Sequence, residues 1–317
     1  MTSKILVMGA AGQIGTELVE ALRKKHGSDA VLASDIHALP LEGIADGPYE
    51  RLDVLDAAAM ADLIDRYGVE DVYLLAATLS ATAERNPETA WRLNMDGLFN
   101  VLNLAKDQRI KRVFWPSSIA VFGPRTPKDH TPQRTVMEPT TVYGISKVAG
   151  ESWCEYYHDR YGVDVRSVRF PGIIGYKSAP GGGTTDYAVH IFHEALKHRG
   201  YESFISAGTA LPMMYMPDAI KSVMDLMDAP ADRISVRTSY NISGMSFSPQ
   251  TIAEAIQKHI PEFEISYKPD YRDGIAKSWP SSIDDEFARR DWGWKPQYGL
   301  NEMVADMLAN LRAAQPA

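Results

Sequence analysis

The chain has 317 residues, 45% hydrophobic and 23% charged, enough for one large globular domain or two smaller ones. A formal charge of −8 with no long run of Lys or Arg argues against nucleic acid as a partner. Cys154 is the single cysteine, which excludes an internal disulfide and a cysteine-rich zinc site; no stretch nears the roughly 18 apolar residues that span a bilayer and no signal peptide is visible, so a cytoplasmic protein with no membrane partner is expected.

Ile5–Met8 is a short apolar run, as a buried parallel strand should be. Gly9, Gly12 and Gly15 follow it. From Gln13 onward the apolar positions Ile14, Leu18 and Leu22 recur every four residues, one face of a helix. A second apolar run, Ala30–Ser34, ends at Asp35. Strand, glycine-rich turn, helix, strand and acid in that order suit a dinucleotide. Glycine permits positive φ and, lacking Cβ, lets a pyrophosphate approach the backbone. The helix N-terminus offers N–H groups and partial positive charge to the phosphates. The acid accepts bonds from the adenosine ribose hydroxyls. The spacing is G-x-x-G-x-x-G rather than G-x-G-x-x-G, and a plain tight turn is the alternative. Gly9, Gly12, Gln13, Ile14, Gly15 and Asp35 are the first candidate cofactor residues. A carboxylate at 35 repels the 2′-phosphate of NADP, and Ala10, Ala11 and Ile36 bring no cation, so NAD is expected over NADP.

The alternation continues along the chain. Tyr49–Val54 reads as a strand, Ala57–Tyr67 as a helix and Asp71–Ala77 as a strand ending in small residues. Pro87–Asp107 reads as a long helix with Pro87 in its first turn. Arg112–Ser118 is a strand, Thr141–Tyr161 a second long helix and Asp164–Phe170 another strand. Repeated β-α units predict an α/β fold, a Rossmann-type doubly wound parallel sheet with helices on both faces. Ligands then bind beyond the carboxyl ends of the strands. Pro171–Asp186, with five glycines, two prolines and two threonines, reads as a loop. Tyr187–Lys197 is helical, and Met213–Met216, Ser239–Ile242 and Phe263–Tyr267 are short strands. The expected division is an NAD-binding domain over 1–175, its chain returning around 212–245, and a smaller C-terminal substrate-binding lobe from 176–211 and 246–317.

The second constellation joins Ser118 to YGISK, Tyr143–Lys147. Residues i and i+4 share a helix face, and an ammonium one turn from a phenol favours the phenolate. A phenol moved from about 10 toward 7 can take a proton from an alcohol. Of the 15 tyrosines, Tyr143 alone has a lysine four residues on. Ser118 ends a strand where the reactive end of the cofactor should lie, and its hydroxyl can hold a substrate oxygen as charge develops.

GAAGQIG (9–15), Asp35, Asp53, LLAA (74–77), NMDG (94–97), SSIAVFG (117–123), YGISK and PGIIG (171–175) together resemble the extended, epimerase-like branch of the short-chain dehydrogenase/reductase superfamily. The resemblance covers about the first 175 residues. It implies Ser118, Tyr143 and Lys147 as the catalytic set, with Lys147 also on the nicotinamide ribose. It implies Asp53 and Val54 near adenine, and Leu75, Ala76, Ala77, Asn94, Ser117 and Pro171 around the cofactor. In similar proteins the two long helices pair into a four-helix bundle across a dimer axis, so a homodimer is expected.

The branch contains sugar-nucleotide epimerases, dehydratases, reductases and amino-acid dehydrogenases, and fold cannot choose among them. Sugar-nucleotide epimerases carry Phe-Asn after the arginine of the sixth strand; here Arg169-Phe170 is followed by Pro171-Gly172. Residues 176–196 hold Lys177 and no arginine, few partners for a diphosphate. YKSAPGGGTTDYAVHIFHEAL and LPMMYMPDAI instead resemble the epimerase-type NAD-dependent L-threonine 3-dehydrogenases. That resemblance implies oxidation of the L-threonine side-chain hydroxyl to 2-amino-3-oxobutanoate, with NADH formed. Gly181–Gly183 then reads as a lid hinge, and Ser80, Gly182, Thr184, Thr185 and Asp186 as substrate-side residues. Thr184 and Thr185 are interchangeable here, and Asp186 serves equally as a helix cap. Asn94 and Ser117 also have structural readings, as backbone-bonding and packing residues. His190 and His193 have metal-compatible spacing but no companion ligands, so no metal is expected. A ligase consuming the unstable oxo product is a candidate partner. The alternatives are a UDP-sugar epimerase or dehydratase and, remotely, an NAD-sensing protein without turnover.

Overall fold

The computed structural model describes residues 4–38, 42–78, 80–178, 181 and 183–314. The chain divides into two compact units. The first is Met1–Ser118, Thr141–Arg169 and Ile220–Tyr240; the second is Ile119–Thr140, Phe170–Ala219 and Asn241–Ala317.

The first unit is built on a six-stranded parallel sheet. Its strands are β1 (Ile5–Met8), β2 (Val31–Asp35), β3 (Tyr49–Arg51), β4 (Asp71–Leu74) and β5 (Arg112–Phe114), with β6 (Ser117–Ser118) a short continuation outside the sheet and β7 (Asp164–Arg166) its sixth member. The order is β3-β2-β1-β4-β5-β7, every pair parallel. β1 pairs Ile5 with Val31 on one side and with Asp71 on the other. The order therefore reverses at β1, and in sheets of this kind ligands bind beyond the carboxyl ends of such strands, here Met8 and Leu74. The helices are α1 (Gln13–His26), α2 (Ala57–Tyr67), α3 (Ser80–Arg85), α4 (Pro87–Lys106) and α5 (Val142–Tyr161). Leu6, Val72, Leu98, Val113, Cys154 and Val165 belong to one buried cluster that joins sheet to helices. Each such aliphatic side chain contributes about 1.5–3 kcal/mol on burial.

Strand ends are where sequence and structure differ. The 49–54 and 71–77 runs form strands over Tyr49–Arg51 and Asp71–Leu74, and the 112–118 run breaks into β5 and β6, which joins a different sheet. Pro116 lacks the N–H that would continue the third ladder. The 164–170 run splits into β7 and β8 (Val168–Phe170). Helix α5 starts where expected because Thr141 caps it, its hydroxyl accepting from Gly144 N at 3.1 Å.

In the second unit β9 (Gly172–Ile174) lies inside the stretch read as loop. It pairs in parallel with β11 (Leu211–Tyr215), which pairs antiparallel with β13 (Met245–Phe247). Gly-Ile-Ile is too short for a periodicity to show, so tertiary pairing decided it. β10 (Gly200–Ser203) and β14 (Glu264–Tyr267) form a separate parallel pair, and β12 is the short Tyr240–Asn241 strand. Helix α6 (Tyr187–His198) buries Tyr187, Ile191 and Phe192. Among the described residues no helix is long and apolar enough to cross a membrane.

Candidate functional site

The turn after β1 is shaped by its glycines. Gly9 has φ +82°, and a Cβ there would stand 2.6 Å from Ala76 N, where the ends of β1 and β4 meet. A Cβ at Gly15 would stand 2.2 Å from Gly9 O. Neither position accepts a side chain. Gly9 N and Ala10 N both donate to Ser34 O, at 2.9 and 3.0 Å, so the turn is anchored to β2. Gly12 is the N-cap of α1 and brings no side chain to it. The N–H groups of Gln13, Ile14 and Gly15 therefore have no carbonyl one turn earlier and no cap, a cradle for phosphate oxygens. Asp35 Oδ2 accepts from Ala11 N at 3.0 Å, which aims the carboxylate at the turn. This cradle fits a dinucleotide.

Two basic side chains lie near Asp35 that the linear reading missed. His37 Nε2 lies 3.8 Å from Asp35 Oδ1. Arg51 pairs in register with Asp35, and its Nε donates to Ile36 O at 3.0 Å.

At the other side of the first unit, Ser118 hydrogen-bonds the Tyr143 phenol. Both residues are half-buried. Lys147, buried at 2% exposure, donates from Nζ to Pro116 O at 2.6 Å and sits 4.3 Å from the centre of the Trp115 ring, a cation–π contact. Its Nζ is 5.5 Å from the centre of the Tyr143 ring.

The electrostatics correct one expectation. In the protein without ligand, Tyr143 is not acidified by its lysine. Burial pushes the phenol up to about 12, and the bond from Ser118 is what draws it down. Burial also pulls Lys147 down to about 7, against the opposing influence of Cys154 and Glu151. Burial raises the Cys154 thiol as well, so that thiol stays neutral. A lysine near neutrality offers its neighbour a weaker field than the spacing alone suggests.

The remaining candidates fall in several places. Ala76 N and Leu75 N donate to Met8 O, and Leu75, Ala76 and Ala77 are half-buried just past β4. Asp53 is exposed and accepts from Leu55 N at 3.0 Å, while Val54 is buried against Gly97. Asn94 is buried; its Oδ1 accepts from Thr78 N at 2.8 Å and its Nδ2 donates to Ser146 Oγ at 3.1 Å. Its amide bonds the protein itself, tying the segment after β4 to α5. Ser117 Oγ donates to Glu151 at 2.6 Å. Ser80 opens α3, but its side chain lies outside the described residues, as does Gly182.

In the second unit Pro171 is buried, Thr184 is 5% exposed, and Thr185 packs where a Cβ on Gly172 would stand 2.8 Å away. Asp186 Oδ2 accepts from Gly183 N at 2.8 Å and makes no cap bond to α6, so its carboxylate closes its own loop. Sequence reasoning passed over Glu84, Trp115, Glu151 and Arg169. Glu84 Oε1 accepts from Val142 N at 2.7 Å and so holds the start of α5. Glu151, eight residues after Tyr143, was findable from helix periodicity; the others show no signal in the chain.

Residues 5–243 match the model of the NAD dependent epimerase/dehydratase family. An uncharacterized epimerase/dehydratase of Staphylococcus saprophyticus is 49% identical over 317 residues, 99% of this chain and 98% of its own. The structure is similar to that of a GalE-like L-threonine dehydrogenase from Cupriavidus necator in its holo form, with TM-score 0.95 and 58% identity over 97% of this chain and 99% of that one. It is also similar to a monomeric L-threonine 3-dehydrogenase from a metagenome, with TM-score 0.93 and 47% identity over 98% and 99% of the two chains.

Proposed function

The chain belongs to the NAD-dependent epimerase/dehydratase family, and on that premise we propose that it oxidises the side-chain hydroxyl of L-threonine, giving 2-amino-3-oxobutanoate and NADH. The observation that carries the reading is the Ser118–Tyr143 pair, half-buried and hydrogen-bonded, with Lys147 one turn along the same helix. The L-threonine dehydrogenases similar to this chain along nearly its whole length supply the substrate.

Ser118 can donate its hydroxyl to the substrate oxygen as charge develops there. Tyr143, once ionised, removes the hydroxyl proton. Lys147 holds the Pro116 carbonyl and so the strand end that carries Ser118. Bound NAD supplies the acceptor for the hydride that leaves Cβ. The Gly9–Gly15 turn and Asp35 would hold its pyrophosphate and adenosine ribose. Thr184, Thr185 and Asp186 join the proposal as groups for the amino acid's ammonium and carboxylate.

The reading extends to a homodimer in the cytoplasm. Trp91 on α4, with Ile145, Trp153, Tyr156 and Tyr161 on α5, is 39–48% exposed, an apolar face that asks for a cover. Sedimentation at micromolar concentration tests it, and a monomeric mass rejects it. The activity is tested by NADH absorbance with L-threonine, its stereoisomers, L-serine and UDP-galactose. Absorbance rising with L-threonine and not with UDP-galactose is expected; no rise with L-threonine rejects the proposed reaction.

A further inference from the structure

Tyr143, Lys147 and Glu151 stand at i, i+4 and i+8 on α5, a single stripe. Each member holds one residue of the segment Pro116–Ser118. The Tyr143 phenol meets Ser118, Lys147 Nζ donates to Pro116 O, and Ser117 Oγ donates to Glu151 Oε1. The contact extends one residue further back, because a Cβ on Gly150 would stand 2.4 Å from Trp115 Cη2. Four consecutive residues are thus read by two turns of one helix.

The third member of the stripe is also the most heavily engaged. Glu151 is fully buried and Arg169, at 3% exposure, nearly so. Arg169 Nε donates to Oε1 at 2.9 Å and Nη2 to Oε2 at 2.7 Å, a two-pronged grip that leaves Oε1 to accept from Ser117 as well. Taking two charges out of water is costly, and apolar residues of similar size commonly replace such a pair without loss of stability. Stability is therefore a weak reason for this pair. Geometry gives a better one: the pair sets where Ser117 sits, and Ser117 is flanked by the carbonyl that Lys147 holds and the hydroxyl that meets Tyr143.

We propose that Glu151, locked by Arg169, is a positioning residue for the dehydrogenase reaction: it clamps Ser117 and thereby fixes the Ser118 hydroxyl against the Tyr143 phenol. The inference rests on the function proposed above. Misplacing a reacting group by an ångström can cost on the order of 10²-fold in rate, so a clamp of this kind is read in turnover rather than in binding.

Ser117→Ala removes the clamp's grip and leaves the ion pair intact. Turnover with L-threonine should fall about 10-fold or more. The dissociation constant for NAD, the KM for L-threonine and the thermal midpoint should stay close to the parent's. Ser117→Thr keeps the hydroxyl and should restore most of the turnover. A double variant, Glu151→Leu with Arg169→Met, removes both charges together and avoids stranding either one; it should lose turnover by a similar factor. Parent-like turnover in Ser117→Ala, or a loss carried by KM alone, overturns the clamp. A parent protein that forms no NADH from L-threonine refutes the proposed reaction and leaves the clamp to a second measurement. In that measurement, hydrogen exchange should be faster at the amides of 117–119 in Ser117→Ala than in the parent, and equal rates overturn the proposal.

Discussion

The inward and outward faces of α5 both depart from an ordinary surface helix, which buries an apolar stripe and wets a polar one: beside buried Cys154 and Tyr157 the inward face carries polar groups, and beside exposed Glu155 and Asp159 the outward face carries aromatics. Inward lie Ser146, Lys147 and Glu151, all buried, with Tyr143 half-buried at the helix start. Outward lie Ile145, Trp153, Tyr156 and Tyr161. The inward face can be polar because each group there has a fixed partner: Ser146 accepts from Asn94, Lys147 donates to Pro116, Glu151 accepts from Arg169 and Ser117. The outward face is a lattice of aromatic edges, with Trp153 centred 4.9 Å from Phe99 of α4 and 5.6 Å from Tyr156. On the proposed reading, buried polarity on this helix serves the chemistry and the exposed aromatic surface pairs with a second copy of the chain.

Substitutions can break that contrast, beginning inside. Tyr143→Phe should lower turnover by about 10²–10⁴ while leaving NAD affinity unchanged, because only the proton acceptor is lost; single-turnover kinetics beside a binding titration checks it. Ser118→Ala should cost about 10–10² at neutral pH. It should also move the acid limb of the rate profile to higher pH, since Ser118 is what draws the phenol's pKa down and activity needs the ionised phenol. A limb that stays put or moves toward acid would break the assignment.

Lys147→Met sharpens the contrast through stability. The folded pKa of Lys147, about 7, lies below its ordinary 10.5. Burying its charge therefore costs stability in full below pH 7, and the cost shrinks as pH climbs from 7 toward 10.5. The variant should be inactive yet melt about 2–4 °C above the parent at pH 7, the margin closing toward pH 10 in a series of thermal scans. The smallest catalytic effect belongs outside. Replacing Trp153 and Tyr156 together by serine should halve the mass in sedimentation while turnover changes less than about threefold. A turnover loss matching that of the inward variants would show that the two faces are not separable.

Much of this was legible beforehand. The Ile5–Met8 strand, the start of α1 at Gln13 and the full extent of α2 follow from apolar spacing and turn chemistry, which are local. The Tyr143–Lys147 spacing was legible for the same reason, since a helix fixes what i and i+4 share. What failed was whatever depends on a distant partner. β9 forms because β11 lies beside it, and the Arg112–Ser118 run breaks where Pro116 turns its carbonyl to Lys147. Arg169 reads as a strand arginine until Glu151 is found against it. His37 and Arg51 enter the Asp35 neighbourhood only once β2 and β3 are paired.

By itself the sequence determined the order of elements, the glycine turn that no side chain can enter and the helix that carries Tyr143 and Lys147 on one face. These are consequences of covalent neighbours and backbone sterics, which act within a few residues. Only the tertiary structure decided the protonation balance. Desolvation depends on every atom packed around a group, so burial raises the phenol and lowers the lysine against what their spacing predicts. It also decided that Pro116, Ser117 and Ser118 would each be held by a different residue of one helical stripe, because that requires a strand end and a helix from separate parts of the chain to lie within hydrogen-bonding distance.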